Sequence, residues 1–330
     1  MSTRFRIVAT SPLHPDAEDV LRQSYDYEAV SDGSIGTLRR MIVDADGIIV
    51  RNKLPDDIFN AAGRILACVR HGVGLDFIPV EAATAKCVAV ANLLEANKQS
   101  VVEHVVATTL ILARNYGDID QRFRTEGWSS RNGYEGIELA GKTIGIVGCG
   151  RIGRGVARAM RYGFGMQTIG YNRSPMPADE DILSVSLADL FARADIVSLH
   201  MPSTARTRGI VDESLLGLMK PGSLLINAGR GDLVDETALI DALSKGRPAA
   251  AAIDVFEPEP IRPDHPFLKI PNIFLTPHIA GGTREASRRM SMQSVESIDQ
   301  LLSGERPNSL VNPDVWEQYL ARLAQRSLLN

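Results

Sequence analysis

The sequence predicts an α/β protein built from two doubly wound parallel-sheet domains, on three observations. Short β-rich runs alternate with amphipathic helical patterns in both halves of the chain, as in successive βαβ units. One such run ends in a Gly-x-Gly-x-x-Gly turn that opens a helix, Gly148-Cys149-Gly150-Arg151-Ile152-Gly153. The 330 residues, 44 % of them hydrophobic, suffice for two separate cores.

Taken in order, the first strands are expected at residues 5–9, 25–30, 47–50, 65–69 and 88–90, with helical patterns at 15–24 and 35–43 between them. A long apolar-periodic stretch, 99–116, reads as a helix crossing between domains. Strands then follow at 142–147, 167–171, 196–199, 223–227, 250–255 and 273–275, separated by helix candidates at 154–162, 187–194, 213–219 and 236–245. A final long helix, 284–302, is expected to return the chain to the first domain, where Pro307 and Leu310-Val311-Asn312-Pro313 read as a packed return segment. The expected division is therefore a discontinuous domain, 1–98 with 304–330, into which a dinucleotide domain, 99–303, is inserted.

The glycine turn carries the first chemistry. It follows the apolar run Lys142-Thr143-Ile144-Gly145-Ile146-Val147, so it has the strand–turn–helix context that gives the motif meaning. Gly148 allows the tight turn, Gly150 lets backbone approach a pyrophosphate, and Gly153 lets helix pack closely on strand. The helix N-terminus, with Arg151 and Ile152 in its first turn, offers N–H groups and partial positive charge to phosphates. A βα turn that binds nothing is the competing interpretation. NAD-binding chains normally place an acid about 20 residues further on, whereas this chain has Asn172-Arg173-Ser174. A 2′-phosphate there meets a guanidinium and a hydroxyl, each charge-assisted bond worth roughly 1.5–3 kcal/mol. NADP is thus expected over NAD. A solvated Arg173 with NAD bound is the alternative.

Composition excludes several classes. The net charge is −4 and Lys and Arg form no long run, which argues against nucleic acid or an anionic membrane surface as partner. Cys68, Cys87 and Cys149 form no Cys-x-x-Cys pair and have no His-rich neighbours, so reduced thiols, no metal site and a cytoplasmic setting are expected. The first strand begins at residue 5, leaving no room for a signal peptide, and no apolar run reaches membrane-spanning length.

Three segments near the ends of expected strands hold reactive groups: Asn227-Ala228-Gly229-Arg230-Gly231, Asp254-Val255-Phe256-Glu257-Pro258-Glu259-Pro260, and Thr276-Pro277-His278-Ile279-Ala280-Gly281. A guanidinium between glycines can grip a small anion bidentately. A carboxylate and an imidazole supply a proton donor with its partner. Each group alone also fits a structural role: Arg230 at a helix terminus, Glu259 as a solvated acid, His278 as a satisfied histidine.

With these segments, the chain resembles the D-isomer-specific 2-hydroxyacid dehydrogenase family, including its glyoxylate/hydroxypyruvate reductases and phosphoglycerate dehydrogenases. The likeness rests also on Gly72-Val73-Gly74-Leu75-Asp76, Ser100-Val101-Val102-Glu103-His104, Leu199-His200-Met201-Pro202 and Lys220-Pro221-Gly222. It implies a Rossmann domain inserted in a flavodoxin-like substrate domain. It implies further that Arg230 holds the substrate, His278 exchanges the proton, and Glu259 orients and charges the histidine. Asp254 would bind the nicotinamide carboxamide. His200, Met201, Pro202, Thr207, Ala228, Gly229, Arg230, His278 and Gly281 would line the cofactor, and Val73 and Gly74 would receive the substrate carboxylate.

The expected activity is NAD(P)-dependent interconversion of a 2-keto acid and a D-2-hydroxy acid, with glyoxylate or hydroxypyruvate as substrate. Arg51 and His71, which end two expected strands, face a polar substrate group on this interpretation. Solvated Arg51 and Lys53 are the alternative. A D-3-phosphoglycerate-type substrate and a dinucleotide-sensing, corepressor-like role are the rival functions. Formate enzymes carry Gln where Glu259 stands, which disfavours them. The resemblance also implies a homodimer through the dinucleotide domain, with the apolar but weakly periodic segment 116–139 as an arm. Two departures stand out: Leu94-Glu95-Ala96-Asn97 replaces a Pro-Gly-Ala pattern, and the chain ends at Asn330 without the regulatory domain of longer phosphoglycerate dehydrogenases.

Overall fold

The computed structural model describes residues 4–61, 63–175 and 180–328 and divides the chain into two compact units. The first comprises Met1–Asn97 with Thr283–Asn330, the second Lys98–Gly282.

In the first unit, β1 (Arg6–Ala9), β2 (Asp26–Ala29), β3 (Gly47–Val50), β4 (Ala67–Arg70) and β5 (Ala89–Ala91) form a parallel sheet in the order β2-β1-β3-β4-β5. This is the flavodoxin-like doubly wound order. The pleat sorts side chains to two cores: Ile7 and Ala9 face one cluster, Val8 the other. The return segment behaves as expected. Leu310 bridges Ala91 in antiparallel fashion, and the Asn312 side chain accepts from Val90 N–H and donates to Val88 O.

One boundary differs. The helix Arg284–Ser303, expected inside 99–303, belongs to the first unit. Its Val295, Ile298, Leu301 and Leu302 bury against Ile7, Ile49 and Val69, and Ser291 Oγ accepts a bond from His14 N–H. Hydrophobic burial of that stripe decides where the helix sits.

The second unit holds β6 (Thr143–Val147), β7 (Gln167–Tyr171), β8 (Leu183–Ser184), β9 (Ile196–Leu199), β10 (Leu224–Asn227), β11 (Ala250–Ile253) and β12 (Ile273–Leu275). All pair in parallel in the order β12-β11-β10-β9-β6-β7-β8, a Rossmann order with one further strand. The two-residue β8 has no counterpart in the sequence reading; two exposed residues carry no periodicity to detect. Helices begin at side-chain caps, Ser186, Asp212 and Asp235 each accepting the N–H three residues on. Strands β6 and β9 are neighbours whose connections diverge, and that crevice is where such sheets bind ligands.

Helix Lys98–Ala113 packs on helix Arg151–Phe164 through Gly155, where a Cβ would meet Val102 at 2.8 Å. The expected single helix 99–116 ends at Ala113 because Asn115 turns left-handed (φ 48°), and a second helix, Tyr116–Glu126, follows. Among the described residues no helix is long and apolar enough to cross a membrane.

Candidate active site

The glycine turn has the shape its residues demand. Gly148 sits at φ +100°, and a Cβ there would meet the backbone of His200 and Met201 at 2.7–2.9 Å. At Gly153 a Cβ would strike Gly148 O at 2.3 Å, so only glycine lets the helix start so close to β6. Gly150 has nothing within 4 Å of its Cβ position and is exposed. Arg151 and Ile152 open the helix that follows. A narrow turn, an open second glycine and the start of a 14-residue helix suit the pyrophosphate of a dinucleotide.

At the tip of β7, the Asn172 carboxamide oxygen accepts the Cys149 N–H at 2.7 Å. The side chain expected to face the ribose is thus first used to hold the glycine turn. Arg173 and Ser174 beside it are exposed.

After β9, Thr207 Oγ1 donates to Pro202 O (2.8 Å) and accepts the Thr204 N–H (2.8 Å), which shapes the turn behind His200, Met201 and Pro202. His200 Nε2 pairs with Ser198 Oγ at 2.8 Å, and burial holds its ring neutral by pushing its pKa down to about 4. After β10, the Asn227 side chain ties the loop to itself, accepting from Gly229 N–H and donating to Arg230 O. Ala228 and Gly229 carry the chain to Arg230, whose guanidinium donates to Gly229 O at 2.7 Å.

Strand β11 delivers Asp254, 1 % exposed, and its carboxylate builds the neighbouring turn. It accepts from Thr276 Oγ1 (2.6 Å), Ile279 N–H (2.8 Å) and Ala280 N–H (2.9 Å), while Asp254 O accepts the His278 N–H (2.8 Å). His278 lies at φ +53°, a conformation costly for a side-chain-bearing residue and one that clusters at functional sites. Sequence reasoning missed this organising role of Asp254. The one available signal was an acid at a strand end, and it does not distinguish a turn staple from a ligand contact.

Glu259 closes the group. Its carboxylate accepts Phe256 N–H at 3.0 Å and pairs with His278 Nδ1 at 2.7 Å. Burial works against the charge, but the bonds from His278 and Phe256 N–H and the positive charges of His278 and Arg230 hold the Glu259 carboxyl below its ordinary value. Gly231, next to Arg230, abuts the Phe256 backbone so closely that a Cβ would lie 2.2 Å from its carbonyl carbon. Arg230, Glu259 and His278 are thereby brought together with their supporting loops in register. Gly281 follows on the same turn.

The first unit presents the remaining candidates. The carbonyls of Gly72, Val73 and Gly74 accept from Leu93 N–H, Asn92 Nδ2 and Arg70 Nε, which turns the opposite ends of those peptides away from these partners. His71 Nε2 bonds Ser291 Oγ at 3.0 Å, and burial with the charges of Arg51 and Arg70 pushes its pKa down to about 3. Arg51 donates to Pro12 O and is half-buried; Lys53 is exposed. Arg70, which sequence reasoning did not single out, lies 9 % exposed and donates to the Val50, His71 and Gly74 carbonyls, bracing this loop. Among the described residues no group of three His, Cys, Asp or Glu could hold a metal ion.

Comparison with known proteins bears on this arrangement. Residues 106–280 match the family model described as "D-isomer specific 2-hydroxyacid dehydrogenase, NAD binding domain". The D-3-phosphoglycerate dehydrogenase of Methanocaldococcus jannaschii is 37 % identical over 98 % of this chain, which spans only 63 % of that relative's length. The glyoxylate reductase of Aeropyrum pernix is also 37 % identical, over 94 % of this chain and 97 % of its own. Among solved structures, the NADPH-dependent glyoxylate/hydroxypyruvate reductase of Sinorhizobium meliloti, in complex with NADP and malonate, superposes with a TM-score of 0.85 at 28 % identity, covering 94 % of this chain and 98 % of that one. The chain belongs to the D-isomer specific 2-hydroxyacid dehydrogenase family, and residues 106–280 are its NAD-binding domain.

Proposed function

We propose that the chain is a nicotinamide-dinucleotide-dependent D-2-hydroxyacid dehydrogenase that reduces a small 2-keto acid, glyoxylate or hydroxypyruvate. The observation that carries this is the convergence of Arg230, Glu259 and His278. A guanidinium lies beside a carboxylate that bonds an imidazole nitrogen at 2.7 Å. The dinucleotide, when bound, supplies or accepts the hydride.

The protein's own groups then do the rest. Arg230 holds the substrate carboxylate and keto oxygen and stabilises negative charge as it develops on that oxygen. His278, with Nδ1 paired to Glu259, presents Nε2 for proton donation to the oxygen, a step worth about 10²–10⁴-fold. Glu259 fixes the ring's orientation and supplies the counter-charge of the imidazolium. Asp254 keeps the His278 turn in shape and is the candidate partner of the nicotinamide carboxamide. Val73 and Gly74 are the candidate backbone anchors for the substrate carboxylate, and Arg51 and His71 remain candidates for its side chain.

NADP is the proposed preference. Residues 172–174 after β7 include no acid, the Asn172 oxygen is already used by Cys149, and Arg173 and Ser174 lie exposed beside it. The Sinorhizobium meliloti reductase holds NADP. We propose further a cytoplasmic homodimer formed through the dinucleotide domain. Tyr116, Phe123 and Trp128, exposed by 49, 53 and 74 %, supply an apolar surface for it.

Turnover of a panel of 2-keto acids with NADPH and with NADH tests the proposal. Reduction of glyoxylate or hydroxypyruvate above about 1 s⁻¹ supports it, whereas dinucleotide binding without turnover favours the corepressor-like role. A second substrate reading is D-3-phosphoglycerate, favoured by the match over 98 % of this chain to the phosphoglycerate dehydrogenase. Oxidation of that substrate in the same assay selects it.

A further inference from the structure

Asp232 lies two residues beyond Arg230 and is unusually placed for a charge. Its side chain is 6 % exposed, and Oδ1 is, among the described residues, the one buried carboxylate oxygen without a hydrogen-bond partner. A buried, half-satisfied carboxylate is costly, so what it holds deserves an account. Its other oxygen, Oδ2, accepts from Ser203 Oγ at 2.5 Å and pairs with the Arg208 guanidinium at 3.0 Å. Those two residues bracket the Thr204–Thr207 turn, and Ser203 directly follows Pro202. The backbone joins in: Gly209 N–H donates to Asp232 O (2.7 Å) and Val211 N–H to Leu233 O (3.0 Å).

From Asp232 the contacts continue the other way. Gly231 abuts the Phe256 backbone, Phe256 N–H donates to Glu259, and Glu259 pairs with His278. The turn after β9 and the Arg230 loop after β10 are thus joined through this carboxylate together with the backbone bonds beside it.

We propose that Asp232, with Arg208 and Ser203, is a positioning residue that couples the 203–208 turn to Arg230. Occupancy of the dinucleotide site and the set of the substrate-gripping guanidinium are linked through it. This rests on the proposed function, in which the turn lines the cofactor and Arg230 holds the substrate. Partners in one hydrogen-bonded network act non-additively, and that is the property to read.

The test uses the whole chain with Asp232→Asn, Arg208→Met, the double variant and Arg208→Lys. Arg208 is 61 % exposed, so its replacement leaves a folded protein even if Asp232→Asn does not. Each single change is expected to raise the NADPH Kd, read by fluorescence, and the KM for glyoxylate by about fivefold while kcat changes less; the double variant is expected to add little to either. Arg208→Lys, which keeps the charge, stays near wild type. The inference is overturned if Kd and KM stay within about twofold, if the two effects multiply, or if only the melting temperature falls. Should the wild-type chain turn over no 2-keto acid, the functional proposal fails, and non-additive NADPH Kd values in the same variants still test whether Asp232 and Arg208 act together on the 203–208 turn.

Discussion

Gly231→Ala is the sharpest probe of how the site is assembled. Gly231 has an ordinary backbone conformation, so alanine meets no torsional penalty, and any effect comes from contact alone. The added Cβ would lie 2.2 Å from Phe256 C, 2.5 Å from its O and 2.6 Å from its Cα, against 3.4–4 Å for ordinary contact. The two backbone segments must part by more than about 1 Å, because no flexible side chain is there to yield. One segment carries Arg230; the other donates the Phe256 N–H that holds Glu259. Overpacking of this kind costs about 1–3 kcal/mol, which lowers Tm by roughly 2–4 °C per kcal/mol in a domain of this size. Misplacing catalytic groups by about 1 Å costs on the order of 10²-fold. The expected result is therefore a folded, somewhat less stable enzyme with kcat/KM for the 2-keto acid down about 100-fold. Activity within about threefold of wild type, in a variant shown to be folded, refutes the proposed dependence of catalysis on this contact.

Four further substitutions reach other parts of the molecule. Glu259→Gln removes the carboxylate that orients His278 Nδ1, so kcat/KM for reduction should fall by about 10²-fold or more; an unchanged kcat/KM means Glu259 does not serve the histidine. Because the folded state holds Glu259 below its ordinary value, its modest stabilising effect is present above that value and fades as pH falls through the depressed one. Arg173→Ala should lower kcat/KM with NADPH about tenfold and leave NADH nearly untouched, since one charge-assisted phosphate bond is lost. Asp46, fully buried, accepts from Arg6 N–H (2.9 Å), Arg326 Nε (2.7 Å) and Arg64 (3.2 Å). Asp46→Ala removes the buried carboxylate that Arg326, 14 % exposed, donates to, and should cost about 3–5 kcal/mol in denaturant unfolding; Arg64→Ala, with its guanidinium half in solvent, should cost at most about 1.

The strands and the glycine turn were legible because their causes are local. Val, Ile and Ala runs buried on both faces mark parallel strands whatever surrounds them, and Gly148 and Gly153 are required by contacts within one βα unit. The convergence of Arg230, Glu259 and His278 could be anticipated because each lies just beyond a strand, and strands of one parallel sheet deliver their ends to the same edge. The helix Arg284–Ser303 was assigned to the wrong body for the opposite reason. Its amphipathic stripe shows that it must bury one face, and only the partner surface of Ile7, Ile49 and Val69 shows where.

The polar side chains divide along the same line. Asn172 reads as a ligand contact from its position, and Thr207 and Asp254 from the family resemblance, yet the carbonyl oxygen of Asn172, the hydroxyl of Thr207 and the carboxylate of Asp254 are each engaged with nearby backbone. A polar group near a binding loop has two ways to be satisfied, and residue type does not separate them. The consequence is mechanical. A loop that must present a side chain to a ligand keeps its shape only if something within the protein holds its backbone groups. Asp254 does this for the His278 turn, holding a histidine at φ +53° that would otherwise relax. Specificity of geometry in this site therefore resides as much in acids and amides turned inward as in the guanidinium and imidazole turned out.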